Sequence, residues 1–226
     1  MIKCQSCAHV QEPRLLCAEC GAPLGAPLDL FAALGLPRKL TLDPARLEQT
    51  YHDLGRRIHP DRFAGSAAIL RDLSLRGTAL LTRAYRTLRD PVTRGLYWLE
   101  LNGHKLAENN KNVPGDLAEM VFEVQDQLAA LREARDGRGA EVERLRGEVD
   151  ERRAELHRMI EAALGELTQN FAHWDGERGD DAYVHDADSV NRDTLVNELK
   201  SILSKIAYLR TLIRDIDREL DSAQAA

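Results

Sequence analysis

Four cysteines stand in the first twenty residues as two Cys-x-x-Cys pairs, Cys4/Cys7 and Cys17/Cys20. Two such pairs can set four thiolates at the corners of a tetrahedron, the geometry zinc accepts in closed structural sites. Gly21 after the second pair eases the tight turn of such a knuckle. Pro13 and the short connection suggest a small hairpin between the knuckles. So small a segment buries too little surface to fold alone, so a bound metal would supply its stability. Disulfides are disfavoured without an export signal, and a redox Cys-x-x-Cys lacks its βαβ context here. Zinc is the expected cofactor, while iron in the same four-thiolate site stays open.

The second group with chemical potential is His59-Pro60-Asp61, an imidazole and a carboxylate held around a proline. An enzyme using them as acid and base would need a further partner, a phosphate loop or an open metal position, and none is evident. The tripeptide is better understood from the elements on either side. Asp43 caps a helix whose first residue is Pro44. Leu47, Tyr51, Leu54 and Ile58 recur along it at 4-3-4 spacing and make one buried stripe. Arg46, Gln49, Asp53, Arg56 and Arg57 occupy the opposite face. Pro60 cannot continue the helix and biases His59 away from helical geometry, so the helix stops there. A second stripe follows, Leu70, Leu73, Gly77, Leu80/Leu81, Ala84 and Leu88, and suits an antiparallel partner helix. The pair presents a basic helix ending in a rigid turn.

The flanks sharpen this pattern. Phe31-Ala-Ala-Leu-Gly-Leu-Pro37 precedes the first helix. Ala84-Tyr85-Arg-Thr-Leu88 and Asp90-Pro91-Val-Thr-Arg94-Gly-Leu-Tyr97-Trp-Leu99-Glu-Leu101-Asn-Gly103 lie in and after the second. With the His-Pro-Asp loop, these segments resemble the J-domain co-chaperones and, among them, the HscB (Jac) family dedicated to iron–sulfur cluster assembly. The resemblance is close over residues 28–135 and continues in pattern beyond. Thr82 stands where relatives usually carry Asn. In that family the loop and the basic helix face dock on a DnaK-type ATPase, usually HscA. The resemblance therefore implies that Arg56, Arg57, His59, Pro60, Asp61 and Arg62 bind the chaperone. Some relatives also carry a paired Cys-x-x-Cys module at the N-terminus.

Beyond Gly103, His104 to Gly115 reads as a connection, and three helical patterns follow over 116–135, 138–172 and 190–221. Their apolar stripes run from Leu117 to Leu131, from Val142 to Phe171 and from Leu195 to Leu220, and fit a three-helix bundle. A homodimeric coiled coil is the alternative use of the same heptads. His173 to Asp188, rich in Asp and Gly, reads as a solvated loop, because its acids lack the order of a calcium loop. Phe122 falls on the acidic side of its helix, and Tyr208 falls off the third seam. In the HscB family this first helix, with an aromatic from the last, binds the scaffold protein IscU. The resemblance implies that Ala118, Phe122, Glu123, Asp126 and Tyr208 form that surface, although Glu119 stands where relatives often have an apolar residue.

Charge supports two protein partners. Residues 29–103 hold 12 basic against 8 acidic groups, while residues 104–226 hold 17 against 27. The large acidic arm would repel phosphates, which disfavours nucleic acid, and only Lys3 and Arg14 are basic near the cysteines. No apolar run is long enough to cross a bilayer, and the N-terminus reads as neither signal nor transit peptide, which points to the cytoplasm. The expected architecture is all-α: a zinc-binding hairpin module (1–27), a J-domain (28–103) and a C-terminal helical bundle (104–226). The expected function is a non-enzymatic co-chaperone that stimulates a DnaK/HscA-type ATPase and delivers an IscU-type scaffold. The alternative keeps the J-domain and gives the arm a different client or a dimerising role.

Overall fold

A computed structural model describes residues 1–106, 115–134, 139–177 and 187–224. The chain divides into two compact units, Met1–Trp98 and Leu99–Ala226. The fold is mostly helical, with one small two-stranded hairpin in the cysteine segment.

In the first unit, strands β1 (Ile2–Lys3) and β2 (Val10–Gln11) pair antiparallel, Ile2 opposite Gln11 and Lys3 opposite Val10. The strands thus flank the first knuckle and do not run between the two. A second, single bridge joins Leu16 to Pro23 around the other knuckle. The physical reason is that each Cys-x-x-Cys turn is itself a hairpin tip, so pairing forms at its base.

Asp29 caps the short helix α1 (Leu30–Ala33) by accepting from the Ala32 N–H at 2.8 Å. Phe31 is fully buried between Tyr97 and Trp98, ring centroids 6.1 and 6.0 Å away. The Tyr97 hydroxyl also accepts from the Leu30 N–H. The segments before α2 and after α3 therefore close one core together. Helix α2 (Pro44–Ile58) starts where its cap requires: Asp43 Oδ1 accepts from Ala45 and Arg46. Helix α3 (Ala68–Arg89) packs along it, with Tyr51 stacked on Tyr85 at 4.2 Å and 9°. Leu47, Ile58, Leu81, Ala84 and Leu88 are buried. Asp90 then starts α4 (Pro91–Leu101) by accepting from the Thr93 N–H at 2.8 Å.

At Gly77 α3 leaves room for the side chain of Ile58 from α2. A Cβ there would lie 2.3 Å from Ile58 Cδ1 and 3.4 Å from Leu15 Cδ1. Leu15 belongs to the stretch between the knuckles, so the cysteine module packs on α3 beside the end of α2. Leu70 of α3 also packs against the module's cluster of Cys4, Cys17, Ala22 and Leu24.

The second unit holds α5 (Ala118–Glu133), α6 (Ala140–Glu177) and α7 (Ala187–Gln224). α6 and α7 run antiparallel: Arg153 pairs with Asp217 at 3.1 Å, and Asn170 donates to the Leu195 carbonyl. α5 covers only part of this hairpin. Its Val124, Leu128 and Leu131 join Val149, Leu156, Leu209 and Ile216 in one core. The bundle is three-stranded there and two-stranded beyond.

Two expectations need correction. His173–Glu177 continue α6 instead of opening a loop, because Trp174 is buried one turn after Phe171 and prolongs the seam. Residues 178–186 of that expected loop, and 107–114 of the expected connection, lie outside the described residues. Tyr208 is half-buried against the bundle core. α7 packs on two helices, so its buried arc is wider than one heptad stripe and takes in Val196, Leu203 and Leu212. These seams close within one chain, which leaves the homodimer without support.

Candidate functional site

The cysteine module is built from two near-identical knuckles. Cys4 N–H donates to His9 O and Ala8 N–H to Cys4 O; Cys17 N–H donates to Ala22 O and Gly21 N–H to Cys17 O. The residue after each second cysteine has positive φ, 61° at Ala8 and 71° at Gly21. Glycine takes that conformation without strain, alanine does not. The Gln11 side chain ties the knuckles by accepting from the Ala18 N–H at 2.9 Å.

All four sulfurs lie within 4.8 Å of one another, with Cys4–Cys20 at 3.6 Å and Cys7–Cys17 at 3.7 Å. A tetrahedral ion with metal–sulfur bonds of about 2.3 Å needs sulfurs about 3.8 Å apart, so the cluster fits a metal of that size. The Cys7 N–H, helped by the Ser6 N–H, holds the Cys4 thiol down at about 6 against burial. Cys7 is pushed up to about 12: the His9 N–H lowers it, but burial and the three neighbouring sulfurs outweigh that. Four thiols this close cannot all ionise unless a cation neutralises them. The arrangement is a metal-binding cluster.

At the C-terminal end of α2, Ile58 is buried and the chain turns at His59 (φ −52°, ψ 133°) into a 3-10 turn, Pro60–Phe63. His59 Nδ1 accepts from the Asp61 N–H at 3.3 Å and so caps this turn. The Asp61 carboxylate lies 3.4 Å from the same nitrogen, with 90% of its side chain exposed. Arg56, Arg57 and Arg62 are exposed around it, and Arg56 is paired with Asp53. The structure thus gathers all six expected chaperone-contact residues at one tip.

Ser74 is a residue that the apolar stripe concealed. It is fully buried on α3, and its hydroxyl donates to the Ile58 carbonyl at 2.6 Å. That carbonyl has lost its helical partner because Pro60 ends α2. Ser74 satisfies it and pins the helix end to α3. A Ser inside an otherwise apolar stripe was the available signal. Ser74→Ala should destabilise the first unit by about 1–3 kcal/mol, the cost of orphaning a buried carbonyl. Thermal melting of the variant checks this.

On the second unit, Ala118, Phe122 and Asp126 follow one row of α5 at four-residue spacing, with Glu123 beside them. Phe122 is 72% exposed. Glu123 is drawn to Arg152 at 2.8 Å. Tyr208 rests on α7 against the core, so it is no free-standing ring like Phe122. No helix among the described residues is long and apolar enough to cross a membrane.

No family model matches the chain. Among curated proteins it is similar to the "Co-chaperone protein HscB homolog" of Aromatoleum aromaticum, 33% identical over 139 residues, 61% of this chain and 77% of that protein. The protein of the same description from Chromobacterium violaceum is 33% identical over 137 residues, 60% of this chain and 76% of its own. The human "Iron-sulfur cluster co-chaperone protein HscB" is 32% identical over 123 residues, 53% of this chain and 52% of its own. The crystal structure of human co-chaperone protein HscB shares the fold, with a TM-score of 0.60 at 23% identity over 96% of this chain and 97% of that one.

Proposed function

Because this chain belongs to the HscB co-chaperone family, we propose that it activates a DnaK/HscA-type chaperone ATPase through His59-Pro60-Asp61 and brings an IscU-type iron–sulfur scaffold to it. It is a non-enzymatic activator; the ATP chemistry belongs to the partner. The observation that carries the reading is the exposed, capped turn at the tip of α2. His59 orders the backbone by accepting from the Asp61 N–H, which leaves the Asp61 carboxylate pointing outward for an arginine of the chaperone. Arg56, Arg57 and Arg62 steer that encounter through charge, so it weakens as salt rises. Docking favours the hydrolysis-competent chaperone, and hydrolysis then traps the scaffold and helps release its cluster.

The scaffold sits on α5. Phe122 supplies a large exposed ring rimmed by Glu119, Glu123 and Asp126, a layout suited to a binding hot spot. Ala118 leaves room beside it, and Tyr208 contributes through whatever edge it keeps outside the core. The four cysteines hold zinc as a structural ion, and their lack of disulfides suits a reducing compartment such as the cytoplasm. In domain terms the module spans 1–27, the J-domain 28–103 and the scaffold-binding arm 104–226.

The test is the steady-state ATPase rate of a purified HscA-type chaperone with this protein, with and without an IscU-type scaffold. Stimulation should appear with the protein alone and rise further with the scaffold. A rate that stays basal in both arms refutes the proposal. Phe122→Ala should weaken scaffold binding by over about 1 kcal/mol, or fivefold, as loss of a hot spot does; calorimetric titration reads it. Unchanged affinity would assign the arm to another client.

A further inference from the structure

Between the cysteine module and α2 runs a cleft of about 530 Å³. One wall carries Arg14 and Leu16 from the stretch joining the knuckles, the other Leu54 and Arg57 from α2, and Leu34 also lines it. Arg14 and Arg57 are both exposed, and neither has an acidic partner among the described residues. Asp53, the acid in this cleft, is engaged by Arg56. The cleft therefore combines apolar side chains with two guanidinium groups that no acid among the described residues neutralises. Such a site suits a short acidic segment with apolar side chains, since guanidinium forks grip carboxylates.

We propose that this cleft belongs to the chaperone-docking surface and seats an acidic segment of the partner ATPase, with Arg14 as a contact supplied by the cysteine module. The inference rests on the chaperone reading above and deepens it. One observation favours the chaperone as occupant. Arg57 lines the cleft and also stands on the basic face that ends at His59, so the two surfaces are continuous. The Phe122 face, by contrast, lies on the other unit and is itself acidic, so it offers no such basic seat. The module is then more than an appendage of the J-domain. It forms the second jaw of a grip whose first jaw is α2.

The experiment compares full-length Arg14→Glu with the parent protein in the chaperone ATPase assay. The concentration for half-maximal stimulation should rise at least about fivefold, with the maximal stimulated rate unchanged, as expected when charge steers association and not the later step. Arg14→Lys should restore most of the loss, and added salt should shrink the difference as charges are screened. Metal content and melting temperature should stay at parental values, because Arg14 is exposed. Thr50→Glu, which places a carboxylate in the cleft from the α2 side, should raise the same concentration without touching the cysteine loops. If both variants stimulate within twofold of the parent, the cleft proposal fails. Weakened scaffold binding with normal chaperone binding would likewise overturn it. Asp61→Asn measured alongside separates the two levels. Retained stimulation by that variant removes the chaperone-loop reading itself, whereas lost stimulation with Arg14→Glu and Thr50→Glu both silent removes only the cleft.

Discussion

Asp61→Asn should abolish stimulation of the chaperone ATPase while leaving the fold intact. The separation of these effects follows from the way the turn is held. His59 Nδ1 accepts from the backbone N–H of Asp61, at 3.3 Å, and this bond survives any change of the side chain. Asparagine has nearly the same shape, and the carboxylate it replaces is 90% exposed. A surface substitution of this kind changes stability by no more than about 0.5 kcal/mol. The charge is lost, and with it the only carboxylate in the 3-10 turn. A charge-assisted bond to an arginine contributes about 1.5–3 kcal/mol, or roughly 10- to 150-fold in equilibrium. If that bond forms only with the hydrolysis-competent chaperone, raising the concentration will not rescue the rate. Parallel thermal melts and ATPase titrations check both halves. Full stimulation by the variant would defeat the proposed role of the loop.

Much of this tip was legible because local chemistry decides it. Asp43 and Pro44 leave little freedom about where α2 begins, and Pro60 leaves little about where it ends. The stripe on α3 is legible from spacing, yet the role of Ser74 within it is not. A hydroxyl's role there depends on a carbonyl sixteen residues away, which no local window contains. The packing of the cysteine module on α3 had the same character. Leu15 and Leu16 are apolar neighbours between two metal knuckles, and the module's small cluster of Cys4, Cys17, Ala22 and Leu24 does not include them. They therefore had to pack elsewhere, and Gly77 is where α3 makes room. In the arm, the seams of α6 and α7 were legible from period alone. Their far end is not, because Asp175 and Gly176 beside Trp174 point to solvent, whereas the tryptophan continues the seam. Tyr208 is not legible from spacing either, because α7 has two neighbours and a single stripe describes only one.

The second large effect concerns the metal. Cys17 is fully buried, and its sulfur lies 3.7 Å from that of Cys7. Cys17→Ser replaces a thiolate by a neutral hydroxyl and leaves three ligands. The parent protein should carry about one zinc per chain, and the variant almost none, because structural zinc is bound through a full set of four ligands. Binding energies of about 10–16 kcal/mol hold such modules folded, far above what a two-stranded hairpin supplies alone. Without the ion the knuckles should open, and Leu15 and Leu16 should leave their seats against the J-domain helices. Burial of one leucine is worth about 1.5–3 kcal/mol. The J-domain keeps its own core of Leu47, Ile58, Leu81 and Leu88, so it should remain folded but melt at least about 5 °C lower. The exposed patch lies around Ile58, one residue before His59, so the looser seat should also blunt chaperone stimulation without abolishing it. Elemental analysis, melting curves and the ATPase assay on one preparation read the three consequences together. A variant that keeps a full equivalent of metal would overturn the four-thiolate assignment. A red parent protein rich in iron would change the ion while leaving the brace intact.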